Sequence, residues 1–173
     1  MIPKSLKFKG EVSSRVGASE QLTAPGDTIL VTRGSPRWLL MRCPCGCGEE
    51  IPVNLDARAG KAWRLYKTAK AGLTLFPSVW RDTGCRSHFI IWRNHIVMCG
   101  IRQGWNDKVT FDVELLAKRL MEVWPPRGLV SYVQVADAVH EIPWDVEDAC
   151  QWLVKKEKLV EGAGDYRGWF QRV

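Results

Sequence analysis

The sequence predicts an α+β chain in two parts, a mainly-β N-terminal domain followed by a small helical domain closed by a β-hairpin. Three observations carry that expectation. Apolar residues recur at a period near two up to about Gly100, and near 3.6 from Thr110 onward. The charge divides at the same place, with 16 Lys+Arg against 8 Asp+Glu in residues 1–107 and 9 against 11 in residues 108–173. Five of the six cysteines fall in the first part, three of them in the run Cys43-Pro-Cys-Gly-Cys47, with Cys85 and Cys99 further on. The expected organisation is a domain over 1–100, a linker over 101–109 and a second domain over 110–173.

In the first part, Thr28–Thr32, Arg37–Met41, Glu50–Asn54 and Leu73–Phe76 are short runs bounded by turn residues and read as strands. Phe89–Trp92 and His95–Met98 read as a hairpin. Arg93-Asn94 is its two-residue turn, and Asn94 tolerates the positive φ such turns need. Lys61–Lys70, with Trp63 and Tyr66 three apart, is the one stretch here that reads as helical.

After the polar connection Gln103–Asp107, Val113, Leu116, Ala117, Leu120, Val123 and Trp124 line one face of a helix that Thr110 can cap and Pro125-Pro126 stop. Ser131-Tyr-Val-Gln134 has the spacing of a capping box and opens a second helix. A third starts near Pro143 and places Val146, Ala149, Cys150, Leu153 and Val154 on one stripe. Leu159-Val160 and Gly168–Gln171 close the chain as a hairpin. Three helices and a hairpin follow the order of a winged-helix-like module. Such modules often read DNA with the third helix, but Asp145, Glu147 and Asp148 crowd the end that would enter the groove and would repel phosphate. Protein docking or structural support is the expected role.

The chain has 173 residues, of which 46% are hydrophobic, and it carries a formal charge of +6, so a real core is expected. No run of eighteen apolar residues occurs, and a soluble cytoplasmic protein without a membrane partner is expected. In that setting six cysteines point to metal rather than to disulfides. Cys43, Cys45 and Cys47 alternate, so an extended backbone turns them to one side, and Gly46 and Gly48 leave the loop free to fold around an ion. Zinc takes four tetrahedral sulfur or nitrogen ligands, and Gly84-Cys-Arg-Ser-His88 can supply the fourth. Five candidates compete for four places: either all four cysteines bind Zn2+, or His88 replaces one. Cys150, on an apolar stripe, and Cys99, at a strand end, read as core residues. His95 and His140 have no partner by motif.

With these residues assembled, the N-terminal part resembles a bacterial and phage family whose signature is a Cys-Pro-Cys-Gly-Cys-Gly run, a Pro-Ser-aliphatic step and a Cys-x-x-His step leading into a hairpin. Here those elements are Cys43–Gly48, Pro77-Ser-Val79 and Cys85-Arg-Ser-His88, and the likeness spans roughly Thr28–Cys99. Members are associated with bacterial ubiquitin-like conjugation operons and implied to be the peptidases of those pathways. The resemblance therefore implies a zinc-containing, deubiquitinase-like hydrolase. Its partners would be a ubiquitin-like protein or its conjugates, and the activating and conjugating enzymes. If the chain is hydrolytic, a serine nucleophile needs a histidine base within hydrogen-bond reach, and Ser78 with His88 is the choice. Ser87 competes, but neighbours on a strand point to opposite faces, so it is poorly placed to use His88. The group orienting His88 is left open among Asp56, Asp82 and a backbone carbonyl.

Arg81, Arg86, Arg93 and Arg102 flank this region, interleaved with Trp80, Trp92 and Trp105, and Arg86, Trp80 and Trp92 are the expected substrate-binding residues. The same mixture suits single-stranded nucleic acid, which makes a non-enzymatic zinc adaptor for nucleic acid or a protein the alternative. A second alternative is an open zinc activating water with Glu49 or Glu50 as base, although no His-Glu-x-x-His motif is present.

Overall fold

In the computed structural model the period-two runs form two four-stranded sheets that share one apolar core. Residues 2–70, 72–100 and 109–173 are described, and the chain separates into two units, Met1–Val109 and Thr110–Val173. The polar connection at 103–107, and the expected linker except Val109, lie outside the described residues. Among the described residues no helix is long and apolar enough to cross a membrane.

The first sheet contains β1 (Lys7–Val12), β2 (Asp27–Arg33), β3 (Ser35–Arg42) and β4 (Glu50–Asn54) in that order, with β1 parallel to β2 and the rest antiparallel. The second contains β5 (Arg64–Thr68), β6 (Gly72–Trp80), β7 (His88–Trp92) and β8 (His95–Met98), antiparallel throughout. Leu30, Leu39 and Met41 from one sheet meet Leu75, Val79, Phe89 and Ile91 from the other. The opposite face of β2 is buried too, because Ile29 and Val31 pack with Ala18, Leu22 and Leu40. Burial on both faces explains why Ile29-Leu-Val31 reads as a continuous apolar run rather than an alternating one.

Lys61–Lys70 is not helical. It contains β5, paired with β6 from Arg64 opposite Phe76 to Thr68 opposite Gly72. Trp63 and Leu65, two apart, both pack against the shared core, so the period that counts is two and the three-residue step to Tyr66 is incidental. At the β7–β8 turn, Arg93 and Asn94 have φ of 48° and 65°, as a two-residue type I′ hairpin turn requires. Asn94 also fastens the neighbouring strand, its Oδ1 accepting the Leu73 N–H at 2.8 Å.

In the second unit α1 (Val113–Val123), α2 (Tyr132–Val139) and α3 (Pro143–Lys155) bury Leu116, Leu120, Val135, Val146, Ala149, Cys150 and Leu153 in one cluster. The strands β9 (Val130–Ser131), β10 (Leu159–Glu161) and β11 (Trp169–Arg172) form a small sheet in the order β10-β11-β9. The capping box at Ser131 and Gln134 is present. The first helix is capped by Asp112 instead of Thr110, since Asp112 Oδ1 accepts the Leu115 N–H at 2.9 Å, the N3 position that a short carboxylate reaches. Val123, expected on the apolar stripe, is exposed. The acidic end of α3 also differs from expectation: Asp145 is buried, Glu147 half-buried and only Asp148 exposed. A first-turn carboxylate such as Asp145 suits the positive end of a helix, so only Asp148 is fully presented to solvent at that end.

Candidate active site and metal centre

The cysteine run forms the connection between β3 and β4. Cys43 N–H donates to the Glu49 carbonyl at 2.8 Å and Gly46 N–H to the Cys43 carbonyl at 3.2 Å, closing the loop on itself. Gly46 and Gly48 take φ of 89° and 82°, a region where a Cβ would be strained. Arg42, the residue before the first cysteine, holds the loop from outside, donating to the Gly48 carbonyl at 2.5 Å and the Leu22 carbonyl at 2.7 Å. Cys85 arrives from the β6–β7 connection. There Gly84 has φ of 62°, and a Cβ on it would stand 2.8 Å from the Glu49 carboxylate.

The four sulfurs of Cys43, Cys45, Cys47 and Cys85 all lie within 4.8 Å of one another. Tetrahedral zinc with bonds of about 2.3 Å needs sulfurs roughly 3.8 Å apart, and Cys43 Sγ is 3.2 Å from Cys45 Sγ and 3.7 Å from Cys85 Sγ. Donor chemistry and spacing therefore fit a metal ion. His88 is not part of the group. Burial and the neighbouring Cys43 thiol push Cys45 up to about 12, and burial also pushes Cys47 up. At Cys85 burial acts in the same direction, but hydrogen bonds from the Ser87 hydroxyl and N–H outweigh it and bring the thiol down to about 6. Ser87 is buried, with its Oγ 3.3 Å from Cys85 Sγ and 3.4 Å from Cys43 Sγ. Sequence reasoning weighed Ser87 only as a nucleophile. The alternation of Cys85 and Ser87 was the signal that it belongs with the thiols.

His88 faces the other way. Phe89 and Ile91 enter the core, so His88 projects from the outer face of β7, where its register partner across the ladder is Trp80. The two rings stack with centroids 5.7 Å apart and planes at 27°. Ser78 precedes Trp80 by two residues and shares its face. His88 Nε2 and Ser78 Oγ are 3.0 Å apart. The pairing of β6 with β7 is irregular between Leu75 and Val79, and the Phe76–Pro77 peptide in that interval is cis. The Ser78 carbonyl accepts the Trp63 indole N–H at 3.1 Å, which fixes the backbone that carries the hydroxyl.

Of the other expected residues, Arg86 is exposed in the β6–β7 connection with φ of 51°. Trp92 shares the outer face of β7, about 13 Å beyond His88 at roughly 3.3 Å per residue. Arg102 and Trp105 lie outside the described residues. Asp56 is committed to Arg37 and Arg58, and among the described residues neither it nor Asp82 bonds to His88. Glu49 is ion-paired with Arg81 at 2.9 Å and Glu50 with Arg15 at 3.2 Å.

A serine and a histidine in bonding distance, with Cys85 of the four-thiol cluster between them in the sequence, are the pattern of the signature read from the sequence. Residues 15–99 match the family model described as the bacterial ubiquitination-like system serine protease, BubE. The match bears out the resemblance carried by the cysteine run and the Cys-x-x-His step. The BubE match covers β2 to β8 and all the cysteines of the cluster, and does not extend into the second unit. Neither the curated proteins nor the solved structures gave a match for the chain.

Proposed function

We propose that the first unit is a serine peptidase that matures a ubiquitin-like protein or removes it from its conjugates. Ser78 is the nucleophile, His88 the base, and a zinc ion on Cys43, Cys45, Cys47 and Cys85 a structural element. The observation that carries this reading is the 3.0 Å contact between Ser78 Oγ and His88 Nε2, within the range a nucleophile and its base need. His88 Nε2 takes the hydroxyl proton as Ser78 Oγ bonds to the carbonyl carbon at the end of the tail. The carbon–nitrogen bond then breaks, the leaving amine receives the proton from His88, and water releases the acyl group by the same exchange in reverse. The stacked Trp80 ring holds the imidazole plane, and Arg86, Trp80 and Trp92 offer the tail a charge and apolar surface.

When bound, zinc would tie the β3–β4 loop to the β6–β7 connection. Four thiol ligands fill a tetrahedral ion, and the ion pairs of Glu49 and Glu50 occupy the carboxylates that a water-activating site would need. Both points favour the serine chemistry over an open metal. The second unit, winged-helix-like in its element order, is proposed as a docking module for the conjugation machinery.

The test uses a fusion of a ubiquitin-like protein from a bacterial ubiquitination-like system, incubated with wild type, Ser78→Ala and His88→Ala. Each variant should lose cleavage by a factor on the order of 10⁴ or more. Full cleavage by either would overturn its assigned role. If wild type cuts no fusion but binds nucleic acid with steep salt dependence, the adaptor reading replaces this one.

A further inference from the structure

Beside Ser78 the second sheet leaves a length of strand edge without a neighbour. Pairing between β5 and β6 begins at Arg64 opposite Phe76. Over Pro77–Trp80, β6 therefore has β7 on one side and, among the described residues, no strand on the other. The ladder itself fixes which backbone groups face that open side. Arg81 N–H donates to the Ser87 carbonyl at 3.0 Å, so Arg81 and Ser87 form a hydrogen-bonded pair. Such pairs alternate with non-bonded ones in an antiparallel ladder, and Trp80 opposite His88 is the next pair along. The Trp80 N–H and C=O accordingly point away from β7. His88 shows the same parity from the other strand, its carbonyl accepting the Cys99 N–H on the β8 side at 2.8 Å. Ser78, two residues from Trp80, also turns its carbonyl to the open side, and the Trp63 indole N–H already occupies it.

We infer that the substrate binds as an added strand on this edge, an extended peptide exchanging main-chain hydrogen bonds with Trp80 and leaving the ladder at Ser78. The inference rests on the peptidase reading above and deepens it. A donor and an acceptor presented together by one residue of an open strand complement another peptide backbone, rather than phosphate or a folded surface. Adjacent strands lie about 4.8 Å apart, which brings the backbone of the added strand alongside the Ser78 hydroxyl. Because Trp63 caps the Ser78 carbonyl, pairing cannot continue past that residue, and the substrate chain must turn out of the ladder where the bond to be cut would lie. Trp80 is 73% exposed, so its indole is available as a wall against the outer face of the incoming strand. Recognition of this kind reads main-chain groups. It tolerates many side chains at the paired position and excludes proline and N-methyl residues there.

The experiment takes full-length Ser78→Ala and the tail peptide of a ubiquitin-like protein that wild type cleaves, and follows backbone amide exchange by NMR. Saturating peptide should slow exchange of the Trp80 amide at least tenfold while leaving the Val79 amide, already bonded to β7, unchanged. In parallel, wild type is given tails carrying one N-methyl group at successive positions. One position should lose at least tenfold in kcat/KM and its neighbours should not. An unchanged Trp80 amide at saturation, or uniform tolerance of the N-methyl group, overturns the strand-addition inference while leaving the peptidase intact. Cleavage by Ser78→Ala overturns the nucleophile instead, and failure of wild type to cut any tail overturns both.

Discussion

Asp27, at the start of β2, is almost fully buried at 1% exposure, and its replacement should destabilise the first unit well beyond a surface change. One oxygen, Oδ2, accepts the N–H groups of Thr23 at 3.0 Å and Ala24 at 2.9 Å and the Thr23 hydroxyl at 3.2 Å, with Lys9 Nζ at 3.3 Å. Hydrogen bonds to a charged acceptor are each worth about 1.5–3 kcal/mol. Thr23 and Ala24 are exposed, so water recovers part of the loss, and Asp27→Ala should cost about 2–4 kcal/mol. Burial pushes the carboxyl up, but the Ala24 and Thr23 bonds and Lys9 outweigh it and hold the group below its ordinary 3.8. A carboxyl depressed in the folded state stabilises fully above its unfolded value and loses that contribution as pH falls through the folded value. Asp27→Asn, which keeps the shape and drops the charge, should therefore lie about 1–2 kcal/mol below wild type at pH 7 and close to it near pH 2. The measurement is urea unfolding of the full chain, followed through amide exchange of β2 and β3 so that the second unit does not contribute. A penalty for Asp27→Ala under about 1 kcal/mol, or a gap for Asp27→Asn that is the same at both pH values, would refute the reasoning. The turn that Asp27 holds also reaches the cysteine loop, because the Leu22 carbonyl binds Arg42 and the Gly26 N–H donates to the Arg42 carbonyl at 3.0 Å.

Ser87→Ala removes a buried hydroxyl from beside two thiols without removing a ligand. Metal affinity in chelator competition should fall about 10–100-fold, and an unchanged affinity would show that the hydroxyl only fills space. At Gly72, with φ of 67°, an added Cβ would stand 2.1 Å from the Asn94 side chain. Gly72→Ala should cost about 3 kcal/mol, combining the left-handed backbone with loss of the Asn94 bond to Leu73; thermal unfolding of the first unit reads it. Ser131→Ala opens the capping box of α2 and should lower stability of the second unit by about 1 kcal/mol, seen as faster amide exchange in α2 with exchange in β6 and β7 unchanged.

What could be read in advance followed from local chemistry. β4 was legible to the residue from Glu50–Asn54, the hairpin from Asn94, and the second helix from Ser131 and Gln134, because each signal lies within a few positions of the element it sets. The cysteine group was legible for the same reason, since residue type alone limits what three alternating thiols do. β5 is not legible in the sequence because its pattern is set by partners: Leu65 lies opposite Leu75, ten residues on, and nothing within 61–70 announces that. Thr110 and Asp112 are both good caps for α1, and only the entry angle of the chain, which the sequence does not give, selects Asp112. Trp63 reads as helical from its local spacing, whereas its bond to the Ser78 carbonyl joins positions that no short motif spans. The orienting group for His88 stays open among Asp56, Asp82 and a backbone carbonyl because the sequence does not give the cross-strand register, which sets the Trp80 ring against His88.

That register also explains why Cys85 can join the four-thiol cluster while His88, three residues on, pairs with Ser78. From Cys85 to Phe89 the chain alternates: Cys85, Ser87 and Phe89 turn inward to the thiols and the core, while His88 turns outward to Ser78 and Trp80. A histidine shifted by one residue would face the sulfurs and become a ligand; in its actual place it is shielded from them by the sheet. On the proposed reading, a metal held by the thiols would be a fixed point for His88, since Cys85 lies three residues away and the Ser87 carbonyl is bonded to Arg81 on the facing strand. If the thiols hold an ion, its loss would free the β6–β7 connection first, and with it the register that sets Trp80 against the imidazole. Chelation should therefore reduce cleavage through the position of His88, even with zinc taking no part in the reaction. That loss should accompany faster amide exchange at Ser87 and His88, ahead of any change in β2 or β3.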